Sequence, residues 1–391
     1  MLKHMYNRDT FLLAETGSIQ DFLLDKYRLT DEFRTSYGNY MLSSKDNEKF
    51  VNKALAAIAA HKHVENADVN MFRTLVTDLL YTRFVLDFKH WEYFSYGLEY
   101  MPIEQRLEFV SESGRHKYTK VLNPDYAQNL AFSNKATTAA LLSSLLKRDF
   151  VAVVTGLDWQ SFKSFCAVHP RFLAKPIDGS LGSGVEVIDT TDYSDLRLHS
   201  VFNKYIGTKK GVLCEEIIDQ DDRLKAMHSG SVNTVRATTY LGLDGSVKIV
   251  CAYLRTGRGG SVVDNAGAGG IYSAVDGDSG ISMTDAVSED GVRYERHPDT
   301  NFVFKGFEIP CWDDLKSVAF EAAKAVPGIR LIGWDMALSK DKGWQIVEGN
   351  CQPQFNVVQV ALGHGIRDQF EKAIEWDANR YKYEHERKNN K

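Results

Sequence analysis

Gly333-Trp334-Asp335-Met336-Ala337-Leu338, followed by Lys340-Asp341-Lys342-Gly343 and then Trp344-Gln345-Ile346-Val347-Glu348-Gly349-Asn350, is the most informative passage of a 391-residue chain. Two runs of strand-forming residues flank a polar turn that ends in glycine, the pattern of a β-hairpin. A two-residue turn at Asp341-Lys342 sets Asp335 opposite Glu348; one at Lys342-Gly343 sets Asp335 opposite Asn350. Residues directly opposite share a face, with Cβ atoms about 4.5–5.5 Å apart. Either register therefore gathers Asp335, Glu348 and Asn350 on one side, and a three-residue loop without a bulge would break that parity. Two carboxylates and an amide oxygen suit Mg²⁺, which takes few protein ligands and shares the rest of its sphere with phosphates and water. A solvated polar face is the bland alternative; Ile332, Trp334, Met336, Ile346 and Val347 are too apolar for it.

Working outward, the texture on either side of residue 130 differs. Residues 1–130 read as helical, with few Gly or Pro to interrupt them and with Phe72, Leu75, Leu79, Leu80, Phe84, Phe88 and Trp91 at helical spacing. After an apolar helix near 135–147, short β-rich runs follow at 150–154, 171–175, 185–188, 211–215, 235–241, 247–253, 331–338 and 344–348. Helical patterns fall at 159–168, 193–204, 313–325 and 365–378. The class is α+β. Expected divisions are a helical region 1–130, a small lobe 131–214, a large lobe 215–380 and a charged tail 381–391.

Composition narrows the function. The chain is 43% hydrophobic and 25% charged, which is ordinary globular usage. Its net charge of −5 lacks the basic excess of a dedicated nucleic-acid binder. No run approaches the roughly 18 apolar residues of a membrane span, and the first ten residues have no signal-like apolar core. The five cysteines are widely spaced and odd in number, so the reading is a reduced, cytoplasmic protein without a disulfide framework or a zinc site.

Three further motifs carry chemistry. In 174–185, a strand ends at Lys175 and runs into Asp178-Gly179-Ser180-Leu181-Gly182-Ser183-Gly184, a loop whose N–H groups can face an anion while Lys175 adds charge. It is neither a Walker A nor a Rossmann fingerprint. Val212-Leu213-Cys214-Glu215-Glu216-Ile217-Ile218 is an apolar strand running into paired acids, with Gln220 or Asp222 beyond it to meet ribose hydroxyls. Ser231-Val232-Asn233-Thr234-Val235-Arg236 enters a strand, and Arg255-Thr256-Gly257-Arg258-Gly259-Gly260 leaves one. Arginines at strand ends can clamp phosphate or carboxylate.

Taken in order, these motifs resemble the ATP-grasp superfamily over about 240 residues, from Lys135 onward. Lys135 and Lys175 match its two nucleotide lysines, Gly179 to Gly184 its phosphate loop, Glu215 to Ile218 its adenine hinge, and Asp335, Glu348 and Asn350 its metal triad. The finer likeness is to the sugar-transfer-associated group. It rests on the 231–236 motif, on Asp264-Asn265 with Gly269-Gly270-Ile271, on His297-Pro298-Asp299-Thr300, Gly306 and Ile309-Pro310-Cys311-Trp312, and on the 93–109 stretch. The resemblance implies two α/β lobes clasping ATP. It departs in one respect, since ATP-grasp enzymes usually begin with a strand-rich domain and this chain begins with helices.

The implied chemistry is ligation of a carboxylate and an amine through an acyl phosphate. ATP would lie against Lys135, Lys175, Ser180, Gly182, Ser183, Gly184, Glu215, Glu216, Ile218 and Asp222. Two Mg²⁺ ions would sit on Asp335, Glu348 and Asn350. Arg236, then Arg255, with Lys175, would stabilise the transferring group, and Asn233, Arg258, Asn265, Gly269 and Gly270 would meet a sugar-linked or amino-acid substrate. A phosphotransferase acting on a sugar hydroxyl, with His297, Asp299 or His364 as base, is the alternative; a non-catalytic ATP sensor is the third. Oligomeric state stays open, with a second copy or a glycan-assembly protein as partner.

Overall fold

In the computed structural model, the described residues are 27–61, 69–179, 184–261, 264, 269–289 and 291–376. The charged tail expected over 381–391 lies outside them, as do Ser180, Gly182, Ser183 and Asn265. The chain divides into two compact units, one of residues up to 117 with 363–368, the other of 118–362 with the residues after 368. No helix of the described residues is long and apolar enough to cross a membrane.

The first unit is helical: α1 (Asp31–Ser43), α2 (Glu48–His61), α3 (Val69–Phe84), α4 (His90–Ser95), α5 (Ile103–Arg106) and the start of α6 (Glu112–Leu122). Thr30 caps α1 by accepting from the Phe33 N–H, which satisfies one orphan donor of the first turn. Leu79, Leu80 and Phe88 of the aromatic pattern are buried, whereas Trp91 is 38% exposed. Among them lies a polar knot. Asp78 accepts from Arg106 at 2.8 Å and from the Tyr93 hydroxyl at 2.6 Å.

The second unit holds the helices α7 (Tyr126–Phe132), α8 (Lys135–Leu141) and α9 (Ser143–Leu146) and two antiparallel sheets. The first sheet has the order β1-β4-β2-β3, from β1 (Phe150–Val153), β2 (Arg171–Pro176), β3 (Glu186–Asp189) and β4 (Val212–Glu216). Strand alternation sorts its residues. Phe172, Ala174, Val212 and Cys214 face α10 (Trp159–Val168) and α11 (Asp195–Ile206) in a core with Phe162, Phe165 and Phe202. Leu173, Lys175, Leu213 and Glu215 take the opposite face.

The second sheet has the order β11-β10-β5-β6-β7-β8-β9. Its strands are β5 (Thr234–Leu241), β6 (Val247–Thr256), β7 (Ile271–Val275), β8 (Ala286–Ser288), β9 (Arg293–Tyr294), β10 (Leu331–Ser339) and β11 (Gly343–Asn350). After the short α12 (Asp222–Lys225), the helix α13 (Trp312–Ala325) covers one face, where Val235, Ala252, Leu254, Trp334 and Met336 meet Leu315 and Ala319. The chain continues through α14 (Asn356–Leu362) and α15 (Arg367–Ala373). The strands β7 to β9 and the helix α14 have no counterpart in the sequence reading, and the closing helix is shorter than the expected 365–378.

The hairpin turn differs from both expected registers. Ser339 pairs with Gly343 across a three-residue loop, and Gly343 takes φ +66°, a backbone region that glycine enters without steric cost. The ladder runs in that register to Met336 opposite Ile346 and then shifts, so that Asp335 faces Glu348 and Gly333 faces Asn350. The extra residue is Val347. This bulge restores the parity that the three-residue loop alone would lose.

Candidate functional site

A cleft of about 700 Å³ is lined by residues of both sheets of the second unit. The first sheet contributes Lys175, Glu215 and Glu216, and the second contributes Thr234, Arg255, Asp335 and Glu348. A smaller cavity of about 330 Å³ shares Lys135, Lys175, Glu215 and Glu348 with it and adds Asn350.

Lys135 opens α8, which Asn134 caps by accepting from the Thr137 N–H at 3.0 Å. Its ammonium donates to the Gly179 carbonyl, at the start of the Gly/Ser loop. Gly184, on the far side of the loop, has φ +73°, and a Cβ there would come within 2.8 Å of Pro176 Cγ. Lys175 is paired with Glu215. Glu215 does not present its carboxylate to the cleft as a free hinge acid. It is buried between Lys175 and Arg148, whose Nη2 lies 3.0 Å away. Burial pushes the Glu215 carboxyl up, but Lys175 and Arg148 outweigh it and hold it down at about 2.

Glu216 accepts from the Asp149 N–H at 3.0 Å and from Lys342 Nζ at 2.5 Å. Ile217 and Ile218 follow it out of β4 along the cleft, and their backbone groups make no backbone hydrogen bond among the described residues. They are the groups open to a planar heterocycle's edge. Asp222 is not in the cleft. It is exposed at the start of α12 and paired with Lys340 at 2.9 Å, and Asp219 lines the cleft instead. Gln220 does line it, but its amide is committed to Asn233.

The two arginines expected at the transferring group are placed differently. Arg236 lies directly across from Asp335 in the β5–β10 ladder and grips it with Nε and Nη2, the latter at 2.8 Å. It is not among the cleft-lining residues. Arg255 is, with Nη2 3.0 Å from Asp335 and Nε 3.3 Å from Asp264. Thr234 accepts from Arg255 and donates to Asp264. Burial raises the Asp335 carboxyl pKa, and the two guanidinium groups more than reverse that, so the net shift is downward.

Of the expected substrate contacts, Asn233 is fully buried. Its amide donates to Gln220, Leu224 and His228, and its oxygen accepts from Thr256 at 2.6 Å. These bonds tie the entry to β5 to the segment 220–228 and to β6. Arg258 holds the Gly269 carbonyl at 2.6 Å and the Tyr294 hydroxyl, and neither it nor Gly269 and Gly270 line the cleft. His297 is buried with both ring nitrogens engaged, by Gly257 O at 2.8 Å and by the Asp299 N–H at 3.1 Å. Asp299 itself receives the Gly259 N–H at 2.5 Å. His364 belongs to the helical unit.

The three oxygen donors fit a divalent cation. A carboxylate has about four acceptor sites, and Asp335 uses three of them on the arginines. The Glu348 side chain is exposed to the cleft and makes no hydrogen bond or ion pair among the described residues. Among the described residues, the Asn350 side-chain oxygen accepts only from the Gln352 N–H, at 2.8 Å. Hard oxygens with open sites on one sheet face are what Mg²⁺ takes when phosphates complete its sphere.

Sequence reasoning missed Arg148. The signal was a cation just before an apolar strand, a common arrangement with no local mark of burial.

A family model described as sugar-transfer-associated ATP-grasp matches residues 113–375. No curated protein matches the chain. Among solved structures, the ATP-grasp ligase PsnB complexed with a minimal precursor is similar at 15% identity and a TM-score of 0.40, over 65% of this chain and 62% of that one. The ADP complex of purK, an N5-carboxyaminoimidazole ribonucleotide synthetase, is similar at 10% identity and a TM-score of 0.35, over 58% and 46%. An L-amino acid ligase from Bacillus licheniformis is similar at 14% identity and a TM-score of 0.34, over 59% and 42%. The chain thus spans less than two thirds of the length of each.

Proposed function

Since the chain belongs to the sugar-transfer-associated ATP-grasp family over 113–375, we propose that it uses ATP to join a carboxylate to an amine. The observation that carries this reading is one cleft lined by Lys135, Lys175, Arg255, Asp335 and Glu348. Lys135 and Lys175 take the phosphates, and the Ile217–Ile218 backbone takes the adenine edge. Asp335, Glu348 and Asn350 would hold Mg²⁺, which neutralises charge on the phosphate oxygens when bound. Arg236 keeps Asp335 ionised and oriented.

A substrate carboxylate oxygen attacks the γ-phosphorus, the bond to the β–γ bridging oxygen breaks, and ADP leaves. The amine then attacks the acyl carbon, the C–O bond to phosphate breaks, and inorganic phosphate leaves with the amine's proton released to solvent. Arg255 lies where negative charge grows in both steps. Preorganised donors of this kind are worth roughly 10²–10³ in rate.

The phosphotransferase alternative needs a base near the acceptor hydroxyl. The ring nitrogens of His297 and one carboxylate oxygen of Asp299 are engaged by backbone groups, which favours ligation. Sugar acids and amino acids are the first substrates to try. ADP release is to be measured against pairs of carboxylates and amines, with phosphorus NMR of the products. Ligation gives free phosphate and an amide; a stable phosphate ester would overturn it.

A further inference from the structure

Arg148 stands in the loop between α9 and β1, just after Lys147, whose left-handed φ of +52° turns the chain out of the helix. Its side chain is 2% exposed. Nη1 donates to the Ile346 carbonyl at 2.6 Å, and Nη2 to Glu215 Oε1 at 3.0 Å and to the Val347 carbonyl at 3.4 Å. One guanidinium thus touches the carboxylate that holds Lys175 and the two carbonyls at the β11 bulge.

Each contact has a consequence. Lys175 and Glu215 alone sum to zero charge, so the lysine would offer a phosphate little attraction. With Arg148 the trio carries +1, and that charge is presented at Lys175, the most open of the three. At the other end, a bulge residue lacks a ladder partner, and Val347 is the bulge residue that turns Glu348 toward Asp335. Arg148 pins the carbonyls there.

We propose that Arg148 is a positioning residue that couples the phosphate lysine to the metal-side carboxylate. It leaves Lys175 charged through Glu215 and fixes Glu348 through the bulge. Arg148 borders the cleft, but its Nη1 and Nη2 groups are spent on protein oxygens, so it acts through these two residues. The inference rests on the nucleotide reading above.

The test is calorimetric titration of ADP into the full chain, first in EDTA and then with Mg²⁺. Arg148→Met should weaken metal-free ADP binding about tenfold and abolish the gain in affinity that Mg²⁺ gives the wild type. Arg148→Lys should keep metal-free binding within about threefold, because one ammonium still neutralises Glu215, yet lose the Mg²⁺ gain, because it has no fork to span the carbonyls. Glu215→Gln combined with Arg148→Met should recover metal-free binding but not the Mg²⁺ gain. If Arg148→Met does not fold, the other two variants decide. Equal losses in both titrations across the variants would mean a purely structural role, and unchanged binding would mean no role; either overturns the inference. A wild type that binds no ADP would instead overturn the nucleotide reading.

Discussion

Asp335→Asn and Glu348→Gln remove one negative charge each from the same sheet face, yet their stability effects should differ widely. Asp335 is buried and paired with Arg236 and Arg255, and Asp264 balances the second guanidinium. The four charges sum to zero. Removing Asp335 leaves two buried guanidinium groups facing one carboxylate, and breaking a buried pair by deleting one partner costs about 3–5 kcal/mol. For a unit of this size, each kcal/mol moves Tm by about 2–4 °C, so the midpoint should fall by about 6–20 °C. Glu348 has no such partner, and its substitution should stay within about 0.5 kcal/mol. Both variants should lose Mg²⁺-dependent ADP binding. Calorimetric scans and urea titrations at pH 7 read the first effect, and ADP titration the second. If Asp335→Asn unfolds within 1 °C of Glu348→Gln, the buried charge cluster is misread.

Gly349→Ala places a Cβ 2.4 Å from a Phe132 ring carbon, in the edge-on packing of Phe132 against Trp334. Overpacking of this kind costs about 1–3 kcal/mol, measurable in urea. Asp222→Ala should leave ADP affinity within twofold, whereas Asp219→Ala should change it, since only Asp219 lines the cleft. In the helical unit, burial raises the Glu92 carboxyl to about 7, against hydrogen bonds from the Lys89 and Glu112 N–H groups that pull it down. The folded state therefore holds a proton that the unfolded chain releases near 4.5. Stability should fall as pH rises from about 4.5 through 7, by on the order of 3 kcal/mol, and Glu92→Gln should flatten that slope in urea titrations at pH 5 and 8.

Local pattern made most strands legible. The run 171–175 alternates Phe172 and Ala174 inward with Leu173 and Lys175 outward, and 159–168 carries a helical period that α10 reproduces. Of the strands that stayed hidden, β8 and β9 are three and two residues long, too short for a period to register. The face shared by Asp335, Glu348 and Asn350 followed from parity, but the device that secures it did not. A bulge has no sequence signature of its own, and Val347 reads like any strand residue. The placement of the arginines was not legible for a related reason. Spacing places Arg236 and Arg255 at strand ends but is blind to the ladder, and only the register sets Arg236 across from Asp335. Asn233 illustrates the same limit, because a polar residue that bonds inside the protein is indistinguishable in sequence from one that waits for a ligand.

The most direct measurement is diffraction from crystals grown with a non-hydrolysable ATP analogue and Mn²⁺, whose anomalous signal locates the cation. The account expects Mn²⁺ between Asp335, Glu348 and Asn350, with the phosphates against Lys135 and Lys175. A cation bound elsewhere, or the nucleotide outside this cleft, would contradict it.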